Sequence, residues 1–118
     1  MPAQELAGIG VLMVEDDVLL RKQIAATLER LGADVTQAAD LATARRMLGE
    51  LSFDFVLLDV NLPDGRGIEL LVEKAFSAAT SVIVMTADAE VNTAVEAMRA
   101  GAADFLSKPF EPAELPLV

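Results

Sequence analysis

Four short apolar segments of the chain are each followed directly by a polar side chain that could take part in chemistry. In chain order these side chains are Glu15 with Asp16, then Asp59, Thr86 and Lys108. The sequence of 118 residues contains no cysteine and no histidine, which excludes disulfides, thiolate chemistry and the commonest general base. Any chemistry must therefore use carboxylates, hydroxyls, lysine and a metal ion that prefers oxygen ligands.

The three acids would repel one another if they lay together. Two unit charges about 4 Å apart cost about 4 kcal/mol at an effective dielectric constant of about 20. Lys108 offers one positive charge and a divalent cation offers two. Mg²⁺ fits such a site best, because it binds through one or two carboxylates and keeps several waters. Asp59 could then act as a nucleophile toward phosphorus, while Thr86 donates a hydrogen bond to a phosphoryl oxygen.

Each of these residues also has a purely structural interpretation. Asp16 or Asp17 could cap the first helix, and Asp59 could be a turn former at the end of its strand. Thr86 could simply end a β-branched strand, and Lys108 could be a solvated surface side chain. Complementary groups at four separate strand ends favour a functional site over four unrelated structural roles.

Alternating strands and helices must bring these residues together. Apolar runs predict five strands, at Ile9–Val14, Ala33–Gln37, Phe53–Val60, Ser81–Met85 and Ala103–Leu106. Helical periodicity predicts helices that end near Gly32, begin after Asp40, run through Ile68 and Ala75, and end at Gly101. The pattern indicates an α/β fold with a parallel sheet that is covered on both faces. In such sheets ligands bind beyond the carboxyl ends of the strands.

Composition and charge narrow the classes of function. The chain has 9 basic and 19 acidic residues, a net charge of −10, which disfavours direct binding of nucleic acid or of anionic membranes. Its apolar stretches are shorter than the ~18 residues of a membrane span, and its N-terminus does not resemble a signal peptide. We therefore expect a cytoplasmic protein with a single domain over residues 1–118.

Four motifs in the chain match one known family in their order and spacing. They are VLMVEDD at 11–17, VLLDVNLPDG at 56–65, VMTA at 84–87 and GAADFLSKPF at 101–110. Together they resemble the receiver domain of two-component response regulators, of the chemotaxis-regulator type. The resemblance implies a flavodoxin-like fold, a doubly wound five-stranded parallel sheet with helices on both faces. It also implies the N-terminal part of a longer regulator, with a fifth helix cut short within the tail 111–118.

The resemblance assigns a phosphorylation site and a metal site. By similarity, Asp59 accepts a phosphoryl group from a sensor histidine kinase or a phosphotransfer protein. Asp16, the side chain of Asp59 and the main-chain carbonyl of Asn61 would ligate Mg²⁺, and Glu15 would reach the ion through water.

The resemblance further implies a switch. Lys108 would pair with the phosphoryl group, and Pro109 would form the turn that aims this lysine inward. Thr86 would move toward a phosphoryl oxygen and Phe105 would rotate inward behind it, although Phe105 could also be a static core residue. The surface of the fourth helix, fifth strand and fifth helix would then change. That surface would control an output domain, for example in transcription regulation, and could join two copies of the chain.

Two other functions use similar residues. A phosphatase of the haloacid-dehalogenase type also has a strand-end aspartate, Mg²⁺, a threonine and a lysine. It needs a second aspartate two residues after the nucleophile, where this chain has Asn61. A degenerate receiver would dock partners without phosphorylation, but such domains typically lack an acid, the threonine or the lysine. We therefore expect a phosphoacceptor that catalyses its own phosphorylation and slow dephosphorylation, and not a turnover enzyme.

Overall fold

A five-stranded parallel sheet with strand order β2-β1-β3-β4-β5 forms the centre of the computed structural model, which describes residues 6–87 and 91–108. The strands are β1 (Gly10–Val14), β2 (Asp34–Ala38), β3 (Phe55–Asp59), β4 (Ser81–Thr86) and β5 (Asp104–Ser107). Each neighbouring pair is parallel. The chain starts in β1, moves outward to β2 and then returns to β3, so the strand order reverses between β1 and β3. The predicted doubly wound sheet is confirmed.

Helices cover both faces of the sheet. They are α1 (Val18–Arg30), α2 (Leu41–Glu50), α3 (Ile68–Val72) and α4 (Val91–Arg99). Successive strand residues point to opposite faces, and in β1 Val11 and Met13 pack in the cluster that includes α1. Leu12 and Val14 pack in the cluster that includes α2, α3 and α4. The three central strands, β1, β3 and β4, are therefore apolar at successive positions along most of their length. Within the described residues, no helix combines the length and apolarity that crossing a bilayer requires.

The first two helices begin at aspartate caps. Asp17 accepts a hydrogen bond from the Leu20 amide at 3.1 Å, and Asp40 accepts one from the Thr43 amide at 2.7 Å. Of the two candidates for the first cap, Asp17 takes this role. The side chain of Asp16 is exposed and lies close to those of Glu15 and Asp59.

A tight hairpin follows β3, where the sequence predicts only a turn. Residues Asn61–Leu62 pair antiparallel with Gly65–Arg66. The chain then returns so close to the end of β3 that a Cβ atom on Gly67 would lie 2.0 Å from the backbone oxygen of Asp59. Only glycine fits at this position. The Gly67 amide donates to the Val60 carbonyl oxygen at 2.7 Å, which fixes this return.

The third helix is shorter than its apolar pattern predicts. It ends at Val72, and Ala75 lies outside it. Lys74 adopts a left-handed φ of 57°, and its amide donates to the Leu71 carbonyl while the Ala75 amide donates to that of Leu70. These two bonds close the helix end in the pattern usually built with glycine. The expected fifth helix and Pro109 lie outside the described residues.

Replacing Lys74 by glycine is expected to raise the free energy of unfolding by about 0.5–1 kcal/mol, since glycine adopts a left-handed φ without a Cβ clash. Urea unfolding followed by circular dichroism measures the change. The matched control is Lys22→Gly in the middle of α1, where glycine should cost about 1 kcal/mol. Equal destabilisation in both variants would contradict backbone strain at Lys74.

Candidate functional site

The residues singled out at the four strand ends lie together at one edge of the sheet. Lys108, directly after β5, donates a hydrogen bond to Glu15 Oε1, and its Nζ lies 3.0 Å from Asp59 Oδ2. The Lys108 amide also donates to the backbone oxygen of Thr86 at 2.7 Å. One lysine thus connects the carboxyl ends of β1, β3 and β4, because parallel strands end at the same edge.

Burial makes these contacts energetically important. Glu15 is 1% exposed and Asp59 5% exposed, whereas the Lys108 side chain is 15% exposed. Buried carboxylates are costly unless they are paired and hydrogen-bonded. Burial lowers the pKa of Lys108, but the hydrogen bonds from its ammonium to Glu15 and Asp59 outweigh that effect, so its pKa is raised overall. The lysine is therefore charged at neutral pH and compensates the two buried acids.

A third carboxylate completes an acidic cluster. Oxygen atoms of Glu15, Asp16 and Asp59 all lie within 4.8 Å of one another, the one such group among residues 6–87 and 91–108. Three carboxylates against one ammonium leave two uncompensated negative charges. The donors are all oxygen, which is the donor set that a hard divalent cation such as Mg²⁺ prefers. The geometry and charge of the cluster therefore fit a divalent cation.

One backbone amide and one arginine fix the loop after β1. The Asp17 amide donates to Glu15 Oε2 at 3.0 Å, and Arg21 Nη1 donates to the Glu15 carbonyl oxygen at 2.8 Å. Arg21 Nε also donates to the Gln37 side chain on β2 at 3.1 Å. Arg21 was missed by the sequence reasoning. Its position, one turn into the helix that follows the acidic loop, could have indicated a contact with that loop.

Asp59 plays both of the roles that the sequence left open. Its Oδ1 accepts a hydrogen bond from the Asn61 amide at 3.1 Å, as a turn former does. Its Oδ2 faces Lys108. The first contact also brings the main chain of Asn61 beside the carboxylate, although the Asn61 residue itself is exposed. The turn-forming contact of Asp59 is therefore compatible with its contact to Lys108, and both belong to the site.

The candidate switch residues lie on β4 and β5, the two strands that follow β3 in the order of the sheet. Thr86 is fully buried at the end of β4. Phe105 on β5 is half-buried and packs against the core cluster that contains Ala97 of α4. Lys108 is not the solvated surface side chain that its type alone would suggest, because it is paired with two buried carboxylates.

The sequence pattern of the response regulator receiver domain matches residues 11–117. The chain belongs to this family. The receiver domain is 40% identical over 105 residues to Protein PetR of Rhodobacter capsulatus, covering 89% of this chain and 44% of that protein. It is 42% identical over 109 residues to the transcriptional regulatory protein FixJ of Azorhizobium caulinodans, covering 92% and 52%. The chain thus spans about half the length of these relatives.

Solved receiver structures have the same fold. A response regulator from Burkholderia pseudomallei, with a phosphorylated aspartic acid, a calcium ion and citrate, superimposes with a TM-score of 0.84 at 28% identity, covering 89% of this chain and 62% of that one. The receiver domain of sensor histidine kinase PA1611 from Pseudomonas aeruginosa, with magnesium coordinated in its active-site cleft, gives 0.80 at 34%, covering 92% and 91%. The predicted family and fold are confirmed. The receiver domain is a phosphorylation-dependent signalling switch.

Replacing Lys108 by methionine should lower the free energy of unfolding by about 3 kcal/mol in metal-free buffer, because two buried carboxylates lose their counter-charge. Added Mg²⁺ should stabilise this variant more than the unmodified chain, since the ion would replace the missing charge. Thermal unfolding with and without Mg²⁺ measures both effects.

The control for this variant is Lys22→Met on the exposed side of α1, which should change stability by less than about 0.5 kcal/mol. Metal-free stability of the Lys108 variant equal to that of this control would show that the lysine does not compensate the acids.

Proposed function

We propose that Asp59 is the phosphoacceptor of this receiver domain and that the donor is a phosphohistidine on a sensor histidine kinase or phosphotransfer protein. One observation carries the proposal: a nearly buried aspartate shares one lysine with a second buried acid, inside a cluster that fits a divalent cation. In the transfer, a carboxylate oxygen of Asp59 bonds to phosphorus while the bond between phosphorus and the donor nitrogen breaks. The phosphorylated aspartic acid in the Burkholderia structure supports this assignment.

Asp16, the Asp59 carboxylate and the main-chain carbonyl of Asn61 would hold Mg²⁺, with Glu15 reaching the ion through water. When bound, the ion neutralises charge on the carboxylates and on the incoming phosphoryl group. The close approach of the three acids and the hydrogen bond between Asn61 and Asp59 support this ligand set. The magnesium in the PA1611 receiver domain supports the choice of ion.

Lys108 would transfer part of its hydrogen bonding to the phosphoryl oxygens. Its ammonium already contacts an Asp59 oxygen, so it needs no large movement to follow the new group. Water would later hydrolyse the acyl phosphate, which makes the domain a self-dephosphorylating switch and not a turnover enzyme.

Thr86 and Phe105 would carry the signal outward. Thr86 would donate its hydroxyl to a phosphoryl oxygen, and Phe105 would rotate toward the space that this movement opens. Phenylalanine has no hydroxyl, so burial alone would drive its rotation. The surface of α4, β5 and the segment after Lys108 would then change its contacts with an output domain or with a second copy of the chain.

We also propose that residues 1–118 form the N-terminal receiver part of a longer cytoplasmic regulator. The share of length covered in the relatives supports a further output region. Two relatives support an output in transcription by name: the transcriptional regulatory protein FixJ of Azorhizobium caulinodans and the phosphate regulon transcriptional regulatory protein PhoB of Klebsiella pneumoniae.

Incubation with acetyl phosphate and Mg²⁺ should give a single acid-stable, base-labile adduct on Asp59, located by mass spectrometry. Asp59→Asn should abolish the adduct, while Asp54→Asn, an exposed aspartate just before the same strand, should retain it. An adduct on another residue would refute the assignment. A folded chain that forms none would indicate a docking module, and steady turnover of a small phosphate ester would indicate a phosphatase.

Thr86→Ala should still accept the phosphoryl group on Asp59 but should lose the response of β5 and α4. Amide NMR spectra with and without beryllofluoride measure that response. Thr86→Ser keeps the hydroxyl and should restore it. A response in the alanine variant equal to that of the unmodified chain would exclude the hydroxyl from the switch.

A further inference from the structure

The hairpin that carries Asn61 is attached at its tip to the N-terminal end of α2, and Asp64 makes the attachment. Asp64 Oδ1 accepts a hydrogen bond from the Leu41 amide at 2.8 Å, and Oδ2 accepts one from the Ala42 amide at 3.0 Å. These amides belong to the first turn of α2 and have no partner within the helix. The two bonds, with the Leu41 bond contributing most, lower the pKa of the Asp64 carboxyl, so it is ionised at neutral pH.

Packing at the next residue supports the same attachment. A Cβ atom on Gly65 would lie 2.7 Å from Cδ1 of Leu41, a side chain that is fully buried at the start of α2. Gly65 also has a positive φ of 151°. The tip of the hairpin therefore lies directly against α2 by packing as well as by hydrogen bonds.

The base of the hairpin is attached to the phosphoacceptor. The Asn61 amide donates to Asp59 Oδ1 at 3.1 Å, and Asn61 pairs with Arg66 across the hairpin. Only Pro63 and Asp64 lie between the two paired segments. With so short a connection, the position of the tip determines the position of the Asn61 main chain.

We propose that Asp64 is a positioning residue for the metal site: it holds the hairpin against α2 so that the Asn61 main chain stays beside Asp59. The inference rests on the proposed function, because it takes the Asn61 carbonyl as a ligand. Asp64 acts through the backbone, since both of its oxygens accept hydrogen bonds from helix amides and neither joins the acidic cluster.

Asp40 provides a matched control for this role. It also caps α2 with a carboxylate, through the Thr43 amide, but it does not belong to the hairpin. Asp64→Ala and Asp40→Ala each remove one negative charge from the same helix end, together with two amide hydrogen bonds in the first variant and one in the second. Only the first substitution releases the hairpin.

Calorimetric titration of the metal-free chain with MgCl₂ tests the proposal. Asp64→Ala should weaken Mg²⁺ binding about tenfold, as loss of a group that orients a ligand does. Asp40→Ala should stay within about twofold of the unmodified chain. Phosphorylation of Asp59 by acetyl phosphate should be slowed in Asp64→Ala at low Mg²⁺ and restored at saturating Mg²⁺, whereas Asp40→Ala, which weakens the same helix end, should follow the unmodified chain at both concentrations.

Thermal unfolding measures whether each variant is folded at the temperature at which its Mg²⁺ affinity is compared. Should Asp64→Ala not fold, Asp64→Asn against Asp40→Asn gives the same comparison, because an amide oxygen keeps one of the two acceptors. Equal Mg²⁺ affinity in the paired variants would overturn the positioning role while Asp59 is still phosphorylated in the unmodified chain. An unmodified chain that neither binds Mg²⁺ nor forms the adduct would instead overturn the proposed function, and the inference with it.

Discussion

The contact of one lysine with two buried carboxylates is the interaction on which the site depends. Lys108 reaches Glu15 after β1 and Asp59 at the end of β3, across the point where the strand order reverses. Both acids are almost fully buried, and a buried carboxylate is costly unless a counter-charge such as this ammonium pairs with it. The lysine compensates one of three negative charges, so the remaining charge favours a divalent cation. A group added to Asp59 therefore has to redistribute contacts that already exist.

The backbone around this contact is held closely by elements that do not take part in it. Gly67 lets the chain pass against the backbone of Asp59, and Arg21 fixes the loop that carries Glu15. The hairpin after β3 is bound at its base to Asp59 and at its tip to α2. Its last residue, Arg66, donates two hydrogen bonds to Glu96 on α4, at 3.1 and 2.8 Å. The hairpin thus contacts the site and two helices at once.

Residue types and periodicity were sufficient to predict the order of the elements and the edge at which the site lies. The predicted strands matched the five observed ones to within two residues at each end. The three central strands gave the clearest apolar runs, because a strand covered on both faces has to be apolar at successive positions. The acids, the threonine and the lysine were identified because they end those runs. The end of α3 was predicted wrongly, because Lys74 adopts a left-handed backbone conformation that a lysine in the sequence does not predict.

The sequence by itself determined that the chain is a receiver domain with a cluster of acids and one lysine, since these features depend on residue type and order along the chain. Only the tertiary structure decided that Asp17, and not Asp16, caps α1. It also decided that Asp59 accepts hydrogen bonds from both the Asn61 amide and Lys108, and that Asp64 connects the hairpin to α2. The contacts of Asp64 with Leu41 and of Asp59 with Lys108 join residues 23 and 49 positions apart, and the other two depend on side-chain direction at single residues. No local pattern encodes the two long-range contacts, because they exist only after the fold has brought distant segments together.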